Sequence, residues 1–328
     1  MKDIFEYVDN FGKYRHVKSI LQYGDKELCQ NPKISVIMPV YGNPKFFVSS
    51  FNSVIHQDAN FCYEVIVVDN TPHDAESTVL GLIKSYNQPY VFYYRNEENI
   101  GMSGNWNRGI ELARSDLITY CHDDDMLCPN CLSKLWELHN DYPNRFIIPN
   151  HKRINEFVYF PLADNVPSRI RGRECISFDL LDIYMGNRTN GVGCLFYKKH
   201  MLDLGGYNEE YYPSMDNAFF IKYVFRYGAV YLRRPLYCYR ITTTNTSNTV
   251  YPAFLENALY YCDCMDPLIK YPSFFKSMLK HAVETRLTNT ISRVWGGKHS
   301  DMMKPTFSDQ IVYKFFTFRH ILKIVGLI

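Results

Sequence analysis

The sequence contains no run of about 18 apolar residues, so no segment qualifies as a membrane-spanning helix. Its first ten residues are polar and lack the basic and apolar regions of a signal peptide, so the ten cysteines are expected to stay reduced. Cys128-Pro-Asn-Cys131 has zinc-knuckle spacing, but a tetrahedral site needs two further ligands. Cys262-Asp-Cys264 is too tight and lies far away along the chain. Both pairs are read as small buried thiols. No G-x-G-x-x-G follows the first strand-like run, which argues against a dinucleotide-dependent oxidoreductase. A net charge of +2 leaves no excess of either sign, so a chain built to coat nucleic acid is excluded. There is no internal repeat and no low-complexity segment.

What the chain does have is apolar and aromatic material, with 46% hydrophobic residues, 27 Tyr and 22 Phe. That composition supports a sizeable core, and the aromatics are read mainly as packing. Residues 1–31 show no clear period and are read as an N-terminal extension. A regular alternation follows. Buried-strand runs at 34–38, 64–68, 91–94 and 117–121 are separated by helical stripes. The first stripe is Phe47, Phe51, Val54 and Ile55, entered through Asn43-Pro44 as N-cap and first helical proline. The second is Val79, Leu82, Ile83 and Tyr86; the third spans 103–114 with Trp106, Ile110 and Ala113 inward. A fourth carries Leu132, Leu135, Trp136 and His139. Strand and helix alternating four times predict a mostly parallel sheet covered by helices on both faces.

From about residue 150 the rhythm loosens. Residues 150–185 read as long loops with one helix near 177–185, and residues 192–197 as a strand. A helix is expected over 214–227 and one or two short strands over 229–240. Residues 252–328 read as mostly helical. The end of the chain, IVYKFFTFRHILKIVGLI at 311–328, mixes Lys314, Arg319, His320 and Lys323 with large apolar groups. Two readings stay open there: a helix lying in a membrane interface, or a terminal helix packed on its own domain.

Ligands of open parallel sheets bind at the carboxyl ends of the strands. Three of the first four strands end in candidate groups: Pro39-Val40-Tyr41, Asp69-Asn70 and the run Asp123-Asp124-Asp125. Adjacent carboxylates repel one another and call for a cation. Hard oxygen ligands select Mg²⁺ or Mn²⁺, which bridge to substrate phosphates and stabilise a diphosphate leaving group.

The segments ISVIMPVY (34–41), EVIVVDN (64–70), NIGMSGNWNRGI (99–110) and SDLITYCHDDDML (115–127) closely resemble family-2 inverting glycosyltransferases. The resemblance covers roughly residues 32–240, with four segments in the right order. It implies a GT-A fold, a nucleotide-diphospho-sugar transferase sandwich. It further implies that Pro39, Val40, Tyr41 and Asn99 border the donor nucleotide, with Asp69 reaching the base. The acidic cluster would hold a divalent metal through Asp124 and Asp125. The first acid of the family's Asp-x-Asp-Asp pattern falls on His122, a departure, so Asp123 inherits a ribose or metal contact and His122 a packing or hydrogen-bonding role. Where the family carries a Glu-Asp pair opening a helix, this chain has Met215-Asp216, which leaves Asp216 alone as general base. Arg188 and Asn190, in Asn187 to Gly193, fall where the family lines its sugar and acceptor pocket. Arg240 is the remnant of a family Arg-x-His phosphate motif, Thr242 standing in place of the His.

The implied activity is single-sugar transfer from a nucleotide sugar, with UDP ahead of dTDP, by one inverting displacement. The acceptor would be a glycan or a polyprenyl-diphosphate-linked oligosaccharide in O-antigen or capsule synthesis. The implied location is the cytoplasm, peripheral on the inner membrane surface, with a homo-oligomer compatible. The implied division is an extension at 1–31, a catalytic domain at 32–250 (nucleotide half 32–127, acceptor half 128–250) and a helical region at 251–328. Two other classes compete. A nucleotidyltransferase also holds Mg²⁺ on strand-end acids but wants a Gly-rich basic loop, and residues 38–46 supply only one Gly and one Lys. A catalytically decayed sugar-binding scaffold would explain His122 and Met215 but not Asp124, Asp125 and Asp216.

Overall fold

The computed structural model describes residues 3–42, 44–72, 77–156, 171–186, 191–242, 250–294 and 303–328. Its first strand, Ser19–Tyr23 (β1), lies in the stretch where the sequence shows no period. The expected alternation then runs through Ser35–Val40 (β2), Phe47–Ile55 (α1), Glu64–Asp69 (β3), Val79–Tyr86 (α2), Val91–Asn96 (β4), Gly101–Leu112 (α3) and Leu117–Tyr120 (β5). Every residue of β2, β3 and β5 is buried, as a parallel sheet covered on both faces requires. Two helices differ in their bounds from expectation: α3 runs from Gly101 to Leu112 rather than over 103–114, and α1 starts late. Helix α1 starts at Phe47 with Phe46 at its N-cap, three residues beyond Asn43-Pro44, and Asn43 lies outside the described residues.

The second half contributes Met126–Leu127 (β6), Cys131–Asp141 (α4), Phe146–Ile154 (β7), Cys175–Phe178 (β8), Leu180–Tyr184 (α5), Phe196–Tyr197 (β9), Lys198–Asp203 (α6), Met215–Tyr227 (α7) and Ala229–Arg240 (β10). Three helices close the chain: Tyr251–Met265 (α8), Ser273–Val294 (α9) and Phe307–Val325 (α10).

The main sheet has the order β1-β4-β3-β2-β5-β9. Strands β4, β3, β2 and β5 run parallel, while β1 and β9 are antiparallel edges. A second sheet joins β6, β10 and β7, with β8 also pairing to β10. Here β10 is one strand of 12 residues, bent by register shifts around Pro235, rather than two short ones. Strands β7 and β8 occupy much of what read as loop, because their residues are only half apolar. The fold is thus a GT-A-like α/β sandwich, a mixed sheet covered by helices.

One face of the main sheet and the aromatic side of α7, including Phe196, Phe219, Phe220 and Tyr223, merge with Tyr261, Leu279 and Val312 of the last helices into one core. Helix α10 is therefore packed on its own domain. Arg319 pairs with Asp179 and, at 2.8 Å, with Asp182; Lys323 lies 2.6 Å from Asp182. Its other side stays in water: Phe318, Ile321 and Val325 are 60%, 50% and 58% exposed. At about 100° per residue these positions fall opposite Val312, Arg319 and Lys323. Among the described residues no helix is long and apolar enough to cross a membrane.

Candidate active site

The parallel strands all end at one edge of the sheet, and there the chain builds a cavity of about 480 Å³. The end of β2 gives Pro39, Val40 and Tyr41; the turn before α3 gives Asn99; the turn after β5 gives Asp123, Asp124 and Asp125; and α7 gives Asp216. Eight of the residues singled out in the sequence thus share one wall.

The acidic turn is strung between two sheets. Its near end is tied to the main sheet where the Cys121 N–H donates to the Ile37 carbonyl at 3.0 Å. Its far end enters β6, which pairs antiparallel with β10, Met126 opposite Cys238 and Leu127 opposite Tyr237. Beneath it lies Arg240, fully buried at the end of β10. Its backbone N–H donates to Asp125 Oδ1 at 2.8 Å, its Nε to the Asp124 carbonyl at 2.7 Å, and its Nη1 to the Asn155 carbonyl at 3.0 Å. The guanidinium sits 4.4 Å from the Phe46 ring centre. Arg240 therefore does not line the cavity as a phosphate ligand; its donors are taken up in holding the acidic turn.

His122 stacks on Trp106 of α3, with ring centres 5.4 Å apart and planes 15° from parallel. Its ligand atom and those of Asp124 and Asp125 lie within 4.8 Å of one another. Burial pushes Asp123 up to about 8, with the charge of Asp124 adding to the effect. Burial likewise raises Asp124 and Asp125, and the Asp124 charge adds to the rise at Asp125. Burial holds the His122 imidazole down to about 4, so it is neutral. Carboxylates crowded into a partly dry turn are poor anions unless a cation joins them. The donor set, two hard carboxylates and a neutral imidazole, fits Mg²⁺ or Mn²⁺.

Asp216 is the second residue of α7, and its Oδ1 accepts the Asn217 N–H at 2.8 Å. Met215, in the position of the family's Glu, points away into the core and is 1% exposed. The segment before α7 is held from α8. Asn257 Nδ2 donates to the Tyr211 carbonyl at 2.9 Å and to Ser214 Oγ at 3.0 Å, and the Tyr261 hydroxyl to the Ser214 carbonyl at 3.0 Å. Phe254 of α8 lines the cavity itself. Neither contribution was read from the sequence, because α8 reaches the site only through the tertiary fold.

Asp69 also departs from its expected place. Its carboxylate accepts the Thr71 N–H at 2.8 Å, the Ser77 hydroxyl at 2.7 Å and the Tyr93 hydroxyl at 2.5 Å, and it does not line the cavity. Its neighbour Asn70 does. A chain of amides fixes that rim: Asn70 Nδ2 donates to Asn99 Oδ1 at 2.6 Å, and Asn96 Nδ2 to Asn70 Oδ1 at 3.0 Å and to Asn105 Oδ1 at 2.9 Å. The sequence signal was there, four Asn clustered after two strands, but it points to loops as readily as to a site. Arg188 and Asn190 lie outside the described residues.

A mixed α/β sandwich with acids on a turn at its strand ends is a GT-A-like architecture. Residues 35–198, half of the chain, match Glycosyl transferase family 2, and the protein belongs to that family and is a glycosyltransferase. It is 24% identical over 234 residues to the GalNAc(5)-diNAcBac-PP-undecaprenol β-1,3-glucosyltransferase of Campylobacter jejuni, covering 68% of this chain and 71% of that one. Among solved structures it resembles residues 1–349 of Staphylococcus aureus TarS in complex with UDP-GlcNAc, with a TM-score of 0.58, 16% identity and coverage of 89% and 81%. It spans 47% of a longer TarS chain. The mannosyltransferase PcManGT of Pyrobaculum calidifontis, in complex with GDP-Man and Mn²⁺, aligns with a TM-score of 0.54, 12% identity and coverage of 89% and 81%.

Proposed function

We propose that the protein moves one sugar from a UDP-sugar to a hydroxyl of a glycan or lipid-linked oligosaccharide in surface-polysaccharide synthesis, with inversion at the anomeric carbon. The observation that carries this reading is a single cavity lined both by Asp123, Asp124 and Asp125 of the acidic turn and by Asp216 of α7. Pro39, Val40, Tyr41 and Asn99 would border the nucleotide, and Asp123 its ribose. Asp216 accepts the proton of the acceptor hydroxyl while that oxygen attacks the anomeric carbon and the bond to the diphosphate breaks. A divalent cation, Mn²⁺ or Mg²⁺, held by Asp124 and Asp125 would supply positive charge to the departing diphosphate. Because Met215 is turned into the core, the cavity offers one helix-borne carboxylate, which is all that a single displacement needs.

The relatives support the substrate classes. The Campylobacter enzyme is named for an undecaprenol-linked acceptor, and the TarS structure holds UDP-GlcNAc. We assign residues 32–127 to the donor, 128–250 to the acceptor, and 251–328 to a bracing region that lends Phe254 and Asn257 to the site. The exposed stripe of α10, Phe318, Ile321 and Val325 with Lys314 beside it, suits the interface of a membrane carrying the acceptor. That would make the enzyme peripheral at a cytoplasmic membrane face.

The test is thermal unfolding with UDP, GDP and dTDP, each with and without Mn²⁺. A ligand that binds only the folded state stabilises it by about 2.7 kcal/mol at a hundred times its Kd. Metal-dependent stabilisation by UDP, absent in Asp124→Ala, is the expected result. Well-folded protein that responds to none of the three would overturn the reading.

A further inference from the structure

A second cavity of about 630 Å³ lies between the second sheet and α10. Its floor is made by β7, β8 and β10, and His320 of α10 closes one side. Arg233 of β10 and Arg171, just before β8, bring two guanidinium groups to it, and His151 and His320 add imidazoles. Arg233 Nη1 donates to the backbone carbonyls of Arg171 at 2.7 Å and Arg173 at 3.0 Å, which anchors its guanidinium to the segment that carries Arg171. The acid among the lining residues is Asp182, and it is already answered by Arg319 at 2.8 Å and Lys323 at 2.6 Å. The cavity therefore presents a positive face. Burial of His151 and partial desolvation of the more open His320 hold both below the ordinary imidazole range, so near neutral pH they serve as N–H donors and the charge resides on the arginines. Tyr231 stacks with Phe178 at 6.1 Å to give an apolar wall beside these donors.

The position of this cavity matters as much as its charge. His151 lines it, and the His151 ring lies 6.1 Å from that of Tyr239, which lines the catalytic cavity. One aromatic pair thus separates the two spaces. Guanidinium forks match phosphoryl oxygens in geometry and charge. We propose that the second cavity is an acceptor subsite that takes a phosphoryl group of the acceptor while the acceptor's hydroxyl end reaches Asp216. This rests on the glycosyl-transfer reading of the first cavity. The phosphoryl group has two sources, the diphosphate of a lipid carrier or a phosphodiester within the glycan.

The probe for binding is inorganic pyrophosphate with metal chelated, read by thermal unfolding of the full chain. Wild type and Asp124→Ala are expected to be stabilised alike, and the double variant R171Q/H320Q is expected to lose the shift while keeping its metal-dependent response to UDP. Both substituted side chains are exposed, and Arg171→Lys serves as a conservative control that keeps part of the shift. A pyrophosphate shift that is absent from wild type, or that survives R171Q/H320Q, overturns the subsite. Loss of the UDP response in wild type overturns the transfer reading instead, so the two failures are distinct. Kinetics then separate the sources. A fall of about tenfold in kcat/KM for R171Q/H320Q, as expected for losing a charged hydrogen bond, only on a polyprenyl-diphosphate acceptor assigns the carrier. The same fall only on a phosphodiester-bearing glycan assigns the polymer. An equal fall on a phosphate-free glycan overturns the proposal.

Discussion

The backbone N–H of Arg240 donates to Oδ1 of Asp125 at 2.8 Å, although 115 residues separate the two in sequence. The same arginine holds the carbonyl of Asp124 from its side chain. A buried guanidinium thus sets the shape of the acidic turn from below. Arg240→Met removes the side-chain bonds to the carbonyls of Asp124 and Asn155 and to Ser49 Oγ, and takes a positive charge away from Asp124 and Asp125. Leaving a buried acceptor unsatisfied in this way costs about 1–3 kcal/mol. We expect a matching drop in urea stability and a higher Mn²⁺ requirement. Arg240→Lys should recover little of either, since a point charge cannot serve carbonyls on separate segments.

Asp216→Asn keeps the size and the helix-opening geometry while removing the proton acceptor. A lost general base lowers the rate by about 10²–10⁴-fold. The expected pattern is a fall in kcat with little change in KM for the donor and unchanged UDP binding. Equal loss of UDP binding would show that Asp216 acts in donor binding instead.

Lys222 is buried on α7, 7% exposed, with Nζ donating to the Leu204 carbonyl at 3.0 Å. Burial holds its ammonium down to about 8. An unfolded lysine keeps its proton to about 10.4, so between these values the unfolded chain binds more protons and stability from this group rises with pH. Below pH 8 the folded state carries the whole cost of the buried charge, on the order of 3 kcal/mol. Lys222→Met should therefore be more stable than wild type at pH 7, with the gap closing from pH 8 to pH 10. Urea midpoints at four pH values test the sign, and a gap that widens with pH would refute it.

Helix α10 presents two opposite faces, one bonded through Arg319 and Lys323 and one exposing Phe318, Ile321 and Val325. Replacing those three by Ser should leave stability within about 0.5 kcal/mol, as for surface sites. Binding to vesicles rich in anionic phospholipid should fall sharply, with activity on a water-soluble acceptor unchanged. Vesicle binding equal to wild type would remove the membrane-face reading. Asp182→Asn acts on the other face: it deprives two partly buried cations of a partner, and α10 should become protease-sensitive before the sheet does.

The local pattern of the chain was enough to determine the main sheet and the place of its acids. Strands β2, β3 and β5 are buried on both faces, so each reads as an unbroken apolar run. An acidic triplet directly after such a run has to emerge at the sheet's carboxyl edge. Asp216 was legible through the family resemblance, as the acid opening a helix where the family carries a Glu-Asp pair. What the sequence alone left undetermined depends on contacts between distant segments. Strand β1 is recruited by the open edge of β4, and β7 and β8 exist because β10 offers them partners; β7 carries no two-residue period, and β8, which alternates, is only 4 residues long. Arg240 reads as a phosphate ligand until the fold closes over it, and Asp69 as a contact to the base until Tyr93 and Ser77 meet it. Only tertiary structure could set Asn257 and Phe254 of α8 beside Asp216, and put His151 between two cavities. Periodicity records which face of an element is buried, whereas the partner that buries it is decided by chain closure over tens to hundreds of residues.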